Sequence, residues 1–203
     1  MQYLYTMQDE LARLRASLQQ MIAVPDALWA DIETRFARRE IRKRETFISE
    51  GKICRELAFV TRGSFRYYRM VDGIETTTYF SFEDDWISDY SSFLTKTPAG
   101  ATDDAMEDAV IWSVSYADMQ YLYEHHPLWE RFGRLMAEYL VTCLDKRMNS
   151  LLLSTPEERY LAVLHDNAAY FERVPQHYIA SYLGVAPESL SRIRRRVMQR
   201  VIS

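Results

Sequence analysis

The sequence predicts an α+β fold in three successive parts: a β sandwich or jelly roll, one long helix, and a C-terminal helix-turn-helix. Short β-branched and aromatic runs, broken by turn signals, occupy residues 42–116. An apolar stripe at helical spacing follows Pro127 over more than twenty residues. Residues 176–193 then show the apolar and glycine positions of two helices joined by a tight turn. These three patterns together predict the fold.

The composition is that of a folded protein without a membrane segment. The 203 residues are 48% hydrophobic, enough for one large or two small cores. The chain has no run of about 18 apolar residues and no signal-peptide pattern at its start, so we expect a cytoplasmic protein. Its two cysteines, Cys54 and Cys143, do not form a CxxC pair. A disulfide framework, a cysteine zinc site and a four-thiolate iron–sulfur cluster are therefore unsupported.

The first two segments have different periodicities. Residues 8–38 are predicted to be helical, with an interruption at Pro25. The β segment follows over residues 42–116. Within it, Asp72-Gly73 lies between RYYRMV and IETTTYF. This pair predicts a tight hairpin, because Gly tolerates the positive φ that such a turn requires.

The long helix is predicted to begin at Pro127, a residue that suits a first helical position. A helix this apolar needs a partner. It packs either on its own β domain or against the same helix of a second chain, and the width of the stripe favours the second interpretation. The stripe comprises Phe132, Leu135, Met136, Tyr139, Leu140, Cys143, Leu144, Met148 and Leu151.

A new domain is predicted to begin after this helix. Thr155 and Glu158 have the spacing of a capping box, and Pro156 between them suits the first helical position. The predicted divisions are residues 1–126 for the N-terminal helices and β domain, 127–153 for the long helix, and 154–203 for the helix-turn-helix domain.

Seven positions near the C-terminus match the helix-turn-helix pattern. Ala180 allows two helices to cross closely, and Gly184 can adopt the left-handed conformation that turns the chain. The alternative is an ordinary helical hairpin, which would not explain the arginines on the second helix. The seven positions are Ile179, Ala180, Leu183, Gly184, Val185, Leu190 and Ile193.

The charge is concentrated at the same end. Residues 173–203 contain six arginines and one glutamate, a balance of +5, so the total of −4 leaves −9 on residues 1–172. A basic terminal segment on an acidic body can attract a polyphosphate locally. Charge alone would equally describe a solvated helix face, so the prediction of double-stranded DNA as the partner of the second helix depends on the charge together with the helix-turn-helix spacing.

If Pro187 starts that helix, its polar side chains lie opposite its core face. We predict that Glu188, Ser189 and Arg192 contact base edges. Arg195 and Arg196 are predicted to contact phosphates, as are Gln176 and His177 from the preceding helix. Ala186 stands where Ser or Thr would cap the second helix, a loss of about 1 kcal/mol.

Four segments carry a resemblance to a known family. FISEGKICRELAFVTRGSFRYY resembles the first strands of a cyclic nucleotide-binding domain, with Gly51 and Gly63 at its turns. HPLWERFGRLMAEYL, STPEERYLAVL and VPQHYIASYLGVAPESLSRIRR resemble the Crp/Fnr family of bacterial transcription regulators, in the version common in Bacteroidetes. The resemblance covers essentially the whole chain. It implies a jelly-roll sensor of the cyclic nucleotide-binding type, a dimerisation helix, a winged helix-turn-helix, and a homodimer on two-fold symmetric DNA.

The sensor departs from the family pattern. Members that bind cyclic AMP have Gly-Glu-Leu and, about ten residues later, Arg-Ser or Arg-Thr. Here residues 88–90 are SDY and residues 99–102 are AGAT, so the arginine that pairs with the phosphate is missing. We therefore predict that cyclic AMP binding has been lost. Four nearby acidic residues would add repulsion, namely Asp103, Asp104, Glu107 and Asp108.

The sequence lacks the residues that the other known sensors of this family require. None of the four histidines falls in the β segment where a haem ligand would be expected, and neither metal nor cofactor is predicted. An aromatic-rich stretch could line a pocket for an unidentified apolar or planar effector, although a sandwich core is the favoured interpretation. The candidate ligand residues are Tyr79, Phe82, Trp86, Asp89 and Tyr90.

The sequence thus predicts a homodimeric, sequence-specific DNA-binding regulator of transcription. The alternative is a small-molecule-binding module whose helix-turn-helix is vestigial or mediates protein contacts. An enzyme is not predicted, because the chain lacks a nucleophile elbow, a P-loop, a metal-spaced cluster and a Rossmann glycine motif.

Overall fold

The computed structural model describes residues 6–202. Its helices are α1 (Met7–Gln19), α2 (Asp26–Arg35), α3 (Tyr90–Thr95), α4 (Tyr116–His125), α5 (Pro127–Leu153), α6 (Pro156–Asp166), α7 (Ala169–Arg173), α8 (Gln176–Leu183) and α9 (Pro187–Ile202). Its strands are β1 (Phe36–Ile41), β2 (Thr46–Ile48), β3 (Glu56–Arg62), β4 (Phe65–Val71), β5 (Ile74–Ser81), β6 (Trp86–Ile87), β7 (Thr102–Ala105) and β8 (Ala109–Ser115).

The strands form two four-stranded sheets, in the orders β1-β8-β3-β6 and β2-β7-β4-β5. One buried cluster contains residues of both sheets, so the sheets pack face to face as a sandwich. Ile41, Val60 and Ile111 come from the first sheet, and Phe65 and Ala105 come from the second.

The predicted boundary between the N-terminal helices and the strands is wrong. Phe36, assigned to a helix from its spacing, begins β1 and pairs with Val114 of β8. Its ring is buried and meets the rings of Trp86 and Trp129 edge-on, at centroid distances of 6.2 and 6.1 Å. Sheet pairing and this aromatic burial outweigh the local helical periodicity. A second departure is the short helix α3 inside the segment predicted to be all-β.

The hairpin prediction is confirmed. Asp72 and Gly73 separate the neighbouring strands β4 and β5, with φ values of 51° and 79°. Two successive positive φ values are what a tight two-residue hairpin requires. Gly63 also has a positive φ, and a Cβ there would lie only 2.6 Å from the Cβ of Ala109. Its missing side chain therefore allows close backbone approach.

Helix α1 is held to the first sheet by a buried carboxylate. Glu10 accepts hydrogen bonds from Arg38 Nε at 2.7 Å and from Trp112 Nε1 at 3.1 Å. Arg38 also bonds Glu40, so the guanidinium joins a buried acid to an exposed one. Since Glu10 is almost completely buried, these bonds replace the water that its carboxylate loses.

The described chain divides into two compact units. The first contains residues up to Arg69 together with Phe80–Glu138, and the second contains Met70–Tyr79 together with residues from Tyr139 onward. In the first unit, Trp129 and Phe132 at the start of α5 are fully buried, and Phe132 packs on Trp86 at 5.2 Å. The β sandwich thus anchors the N-terminal half of α5.

Helices α6 to α9 dominate the second unit. The predicted capping box is confirmed: Thr155 Oγ1 accepts from the N–H of Glu158, and the Glu158 carboxylate accepts from the N–H of Thr155. Between residues 139 and 202 the described chain contains helices and no strand, so the predicted wing is not found there. Among the described residues, no helix combines the length and apolar character needed to cross a membrane.

Candidate nucleic-acid interface

The turn between α8 and α9 is built on Gly184. This residue has φ 68° and ψ 37°, the left-handed conformation predicted from the sequence. The N–H of Val185 donates to the Ala180 carbonyl at 3.0 Å, and the N–H of Gly184 donates to the Ser181 carbonyl at 3.0 Å. These bonds close the C-terminus of α8 in the manner of a Schellman motif. Only three residues, 184–186, separate the end of α8 from the start of α9.

Two arginines, one from α5 and one from α6, donate hydrogen bonds to the carbonyl groups at the C-terminus of α8. Arg159 of α6 is 8% exposed, and its Nε donates to the Leu183 carbonyl at 2.9 Å. The same guanidinium donates to the Ser154 carbonyl at 2.5 Å, at the end of α5. Arg147 of α5 donates to the Tyr182 carbonyl and lies 3.8 Å above the Tyr182 ring. Cations at helix C-termini are favourable because the free carbonyls there carry partial negative charge.

Burial lowers the pKa of Arg147 from its ordinary value, because desolvation disfavours its charged form. Neither this arginine nor Arg159 was predicted as a site residue. The signal available was a charge on an apolar face: Arg159 precedes buried Val163 by four positions and so shares its side of α6. Sequence alone does not reveal which carbonyls such a residue reaches.

A small apolar core supports α8 and α9. Five of the seven pattern positions are almost completely buried: Ile179, Ala180, Leu183, Leu190 and Ile193. Gly184 lies in the turn, and Val185 is half-buried. Val197 extends the buried face of α9 by one more turn. The helical spacing therefore places the opposite face of α9 in solvent.

Most of the predicted DNA-contacting side chains lie on exposed positions. Ser189 is half-buried and accepts a hydrogen bond from Arg192 Nη2 at 3.0 Å. Arg196 forms an ion pair with Glu157 of α6 at 3.3 Å, an interaction that the sequence did not predict. The exposed members of the set are Gln176, His177, Glu188, Arg192, Arg195 and Arg196.

A serine of α8 contacts the hairpin tip that belongs to the same unit. The Ser181 hydroxyl accepts from the N–H of Thr77 at 2.9 Å and donates to the carbonyl of Glu75 at 3.2 Å. Both backbone groups belong to β5, an edge strand of the second sheet. Ser181 thereby satisfies polar groups that an edge strand leaves unpaired. No sequence pattern indicated this contact.

The candidate ligand residues are not brought together as one group. Trp86 packs on Phe59 and Phe132, each at 5.2 Å, as the sandwich-core interpretation expects. Phe82 is half-buried, and its N–H donates to Asp85 at 2.8 Å. Tyr90 stacks on Phe93, and the exposed Tyr79 belongs to the second unit.

Asp89, the remaining candidate, is a buried hydrogen-bond hub. Its carboxylate caps α3 through the N–H of Ser92 at 3.0 Å. It also accepts from the Tyr67 hydroxyl at 2.8 Å and from the N–H of Gly100 at 3.1 Å. Three internal donors therefore use the Asp89 carboxylate.

A second buried acid lies next to this hub. Asp103 pairs with Tyr67 across β7 and β4, and it is 2% exposed. Burial raises the pKa of Asp103 to about 8, and the neighbouring Asp104 adds to the shift. Its Oδ1 has no hydrogen-bond partner among the described residues. Two acidic residues, Asp89 and Asp103, thus lie beside Tyr67 in this part of the domain.

One cation does lie near the loop at residues 99–102. A Cβ on Gly100 would be 3.5 Å from Nη2 of Arg69. Arg69 comes from β4, two residues after Tyr67, and is exposed. The sequence of the loop gives no sign of this arginine, because Arg69 belongs to β4.

Comparison with known proteins identifies the domain type of the β sandwich. Residues 38–126 match the family model of the cyclic nucleotide-binding domain. No curated protein sequence matches the chain significantly. The matched domain is a cyclic nucleotide-binding domain, and its fold also occurs in solved transcription regulators.

Solved structures of Crp/Fnr-type regulators share the fold. FixK2 from Bradyrhizobium japonicum matches with a TM-score of 0.71 and 18% identity, over 82% of this chain and 86% of that chain. The c-di-GMP-responsive global regulator CLP from Xanthomonas campestris matches with a TM-score of 0.65 and 16% identity, over 84% and 90%. The catabolite activator protein from Thermus thermophilus matches with a TM-score of 0.54 and 20% identity, over 91% and 87%. At these identities the similarity shows a shared fold.

Replacing Arg159 with Met is expected to lower the free energy of unfolding by about 3 kcal/mol, because buried carbonyls at the ends of α5 and α8 lose their donor. Urea denaturation measures the change. The matched control is Arg195→Met on the exposed face of α9, where a change within about 0.5 kcal/mol is expected. Equal effects of the two substitutions would contradict the role given to Arg159.

Replacing Asp103 with Asn is expected to remove part of the pH dependence of stability. Folded Asp103 keeps its proton up to about pH 8, whereas the unfolded residue loses it near its ordinary pKa of 3.8. Wild-type stability therefore falls as pH rises between these values, by up to about 1.4 kcal/mol per pH unit, and Asn removes this contribution.

Denaturation of wild type, Asp103→Asn and the exposed control Asp26→Asn at several pH values tests this expectation. The stability of Asp103→Asn relative to wild type should increase from about pH 4 to pH 8, while that of the control stays level. A constant difference for Asp103→Asn would show that its carboxyl titrates normally.

Proposed function

We propose that the protein is a homodimeric, sequence-specific DNA-binding regulator of transcription, with α8 and α9 as its helix-turn-helix and α9 as the recognition helix. The observation that carries this proposal is the division of α9. Leu190, Ile193 and Val197 are buried, while Glu188 and Arg192 lie on exposed positions near its start. A recognition helix needs this arrangement, since its N-terminal side chains enter the major groove.

The proposed contacts follow the chemistry of each side chain. Arg192 donates to a guanine edge, and Glu188 accepts from a cytosine amino group. Ser189 holds the Arg192 guanidinium at 3.0 Å, which limits the directions in which it can donate. Arg195 and Arg196, together with Gln176 and His177, contact phosphates and contribute affinity without sequence preference.

Dimerisation is proposed through the C-terminal half of α5. Large apolar side chains on this half remain exposed in the single chain, which supports pairing with a second copy. Two recognition helices would then enter successive major grooves about 34 Å apart. The exposed set consists of Tyr139, Val141, Leu144, Met148, Leu151, Leu152 and Leu153.

The N-terminal part, residues 1–126, is proposed to be a sensor-like domain that has lost cyclic AMP binding. Asp89 is engaged by three internal donors, and buried Asp103 adds a carboxyl group nearby. An effector would act by binding two arrangements of the DNA-binding part with different affinities. CLP is described as responsive to c-di-GMP, so this dinucleotide is a reasonable first probe.

Arg192→Ala and Arg195→Ala test the assignment of α9. The first is expected to relax base preference, with a loss of about 1–3 kcal/mol on the preferred site. The second should weaken binding to all DNA alike and lower the slope of log K against log salt by about 1. Anisotropy titrations on preferred and scrambled duplexes measure both effects. Unchanged base preference in Arg192→Ala would remove that residue from the readout.

Leu144→Glu tests the dimer. A charge on the exposed apolar stripe is expected to shift the protein toward monomer, because the carboxylate loses water when the helices pair. Sedimentation equilibrium measures the shift. The control Lys146→Glu introduces a carboxylate at another exposed position of α5 and should leave the association unchanged. Identical behaviour of the two variants would contradict dimerisation through this stripe.

A further inference from the structure

Three of the five arginines of α9 fall into two sets with different partners. Arg192 lies near the start of the helix and donates to Ser189. Arg196 and Arg200, one helical turn apart, both form ion pairs with Glu157, at 3.3 and 2.5 Å. The second set is therefore connected to α6. This connection bears on DNA binding, because a guanidinium group paired with a carboxylate must give up that partner to pair with a phosphate.

Glu157 lies at the N-terminus of α6. It occupies the first turn of α6, where the free N–H groups of the helix favour negative charge. Its side chain is 20% exposed, whereas those of Arg196 and Arg200 are 59% and 71% exposed. The carboxylate is thus the shielded partner, and the two guanidinium groups remain open to solvent and to a competing anion.

The arrangement imitates the way in which proteins bind phosphate. Two guanidinium groups converge on one anion beside a helix N-terminus, and a phosphate uses the same kinds of donor. Exposed ion pairs contribute little stability, so one partner is readily exchanged for another. A DNA phosphate that reaches Arg196 or Arg200 therefore competes directly with Glu157.

We propose that Glu157 is an internal counter-ion that competes with DNA phosphates for Arg196 and Arg200. This inference rests on the proposed function of α9. Glu157 lowers the affinity for all DNA alike and reduces its dependence on salt, because the contacts it withholds are phosphate contacts. Base preference is unaffected, since Arg192 bonds Ser189 and is not one of the two arginines that pair with Glu157. Glu157 thereby limits binding to nonspecific DNA, which phosphate contacts dominate.

The test compares Glu157→Gln with Glu172→Gln. Both substitutions remove one negative charge from the same compact unit, and Glu172 is exposed on α7. Anisotropy titrations on a mixed-sequence duplex of about 30 base pairs, over about 50 to 300 mM NaCl, give the affinity and its salt slope. Circular dichroism confirms that each variant is folded.

Glu157→Gln is expected to bind several-fold more tightly than Glu172→Gln at the lowest salt, and to steepen the slope by about 1 to 2, since each phosphate contact adds about 0.9. In the Arg196→Gln/Arg200→Gln background, the advantage of Glu157→Gln over the control should disappear. Equal affinities and slopes for Glu157→Gln and Glu172→Gln would overturn the inference, as would weaker binding by Glu157→Gln than by wild type.

The same titration separates this inference from the proposed function. If wild type binds the duplex with a measurable salt slope and the two Gln variants coincide, only the role of Glu157 fails. If neither wild type nor any variant binds the duplex at the lowest salt, the assignment of α9 to DNA fails, and the inference fails with it.

Discussion

The buried guanidinium of Arg159 is the contact on which the C-terminal unit depends. It bonds the last carbonyl of α8 at Leu183 and the carbonyl of Ser154 just after α5, so one side chain joins two helix ends. The helix-end carbonyls supply the negative partial charge that a buried cation requires. The turn at Gly184 starts next to this contact, and a Cβ there would lie 3.8 Å from Arg159 Nη2. The direction in which α9 leaves the turn is therefore set by Arg159 together with the left-handed glycine.

Helix α5 has a different environment in each half, and this difference gives it two roles. Its first turns are part of the sandwich core, where Trp129 and Phe132 are fully buried. Its later turns hold Arg147, which bonds the Tyr182 carbonyl, and they leave Leu144 and Leu153 exposed. One continuous helix thus supports α8 on one side and presents an apolar surface on another. In the proposed dimer, this apolar surface of α5 would pack against the same surface of a second copy.

Features governed by short sequence separations were predictable from the sequence. The Asp72-Gly73 hairpin, the Thr155 capping box and the left-handed Gly184 each depend on residues within a few positions of one another. The buried positions of α8 and α9 follow from helical spacing in the same way.

Long-range pairing decided the features that sequence patterns missed. Phe36 joins a strand because it pairs with Val114, far along the chain. Arg69 approaches Gly100 from a neighbouring strand, and Glu157 reaches arginines about 40 positions later. Such contacts depend on tertiary structure, so the exposed face of α9 was predictable while the division of its arginines was not. The most direct test of sequence-specific DNA binding is to sequence the DNA fragments that the wild-type protein retains at about 150 mM salt, with and without cyclic AMP. Enrichment of a two-fold symmetric motif in both conditions is the predicted result, and no enriched motif in either condition would contradict sequence-specific binding.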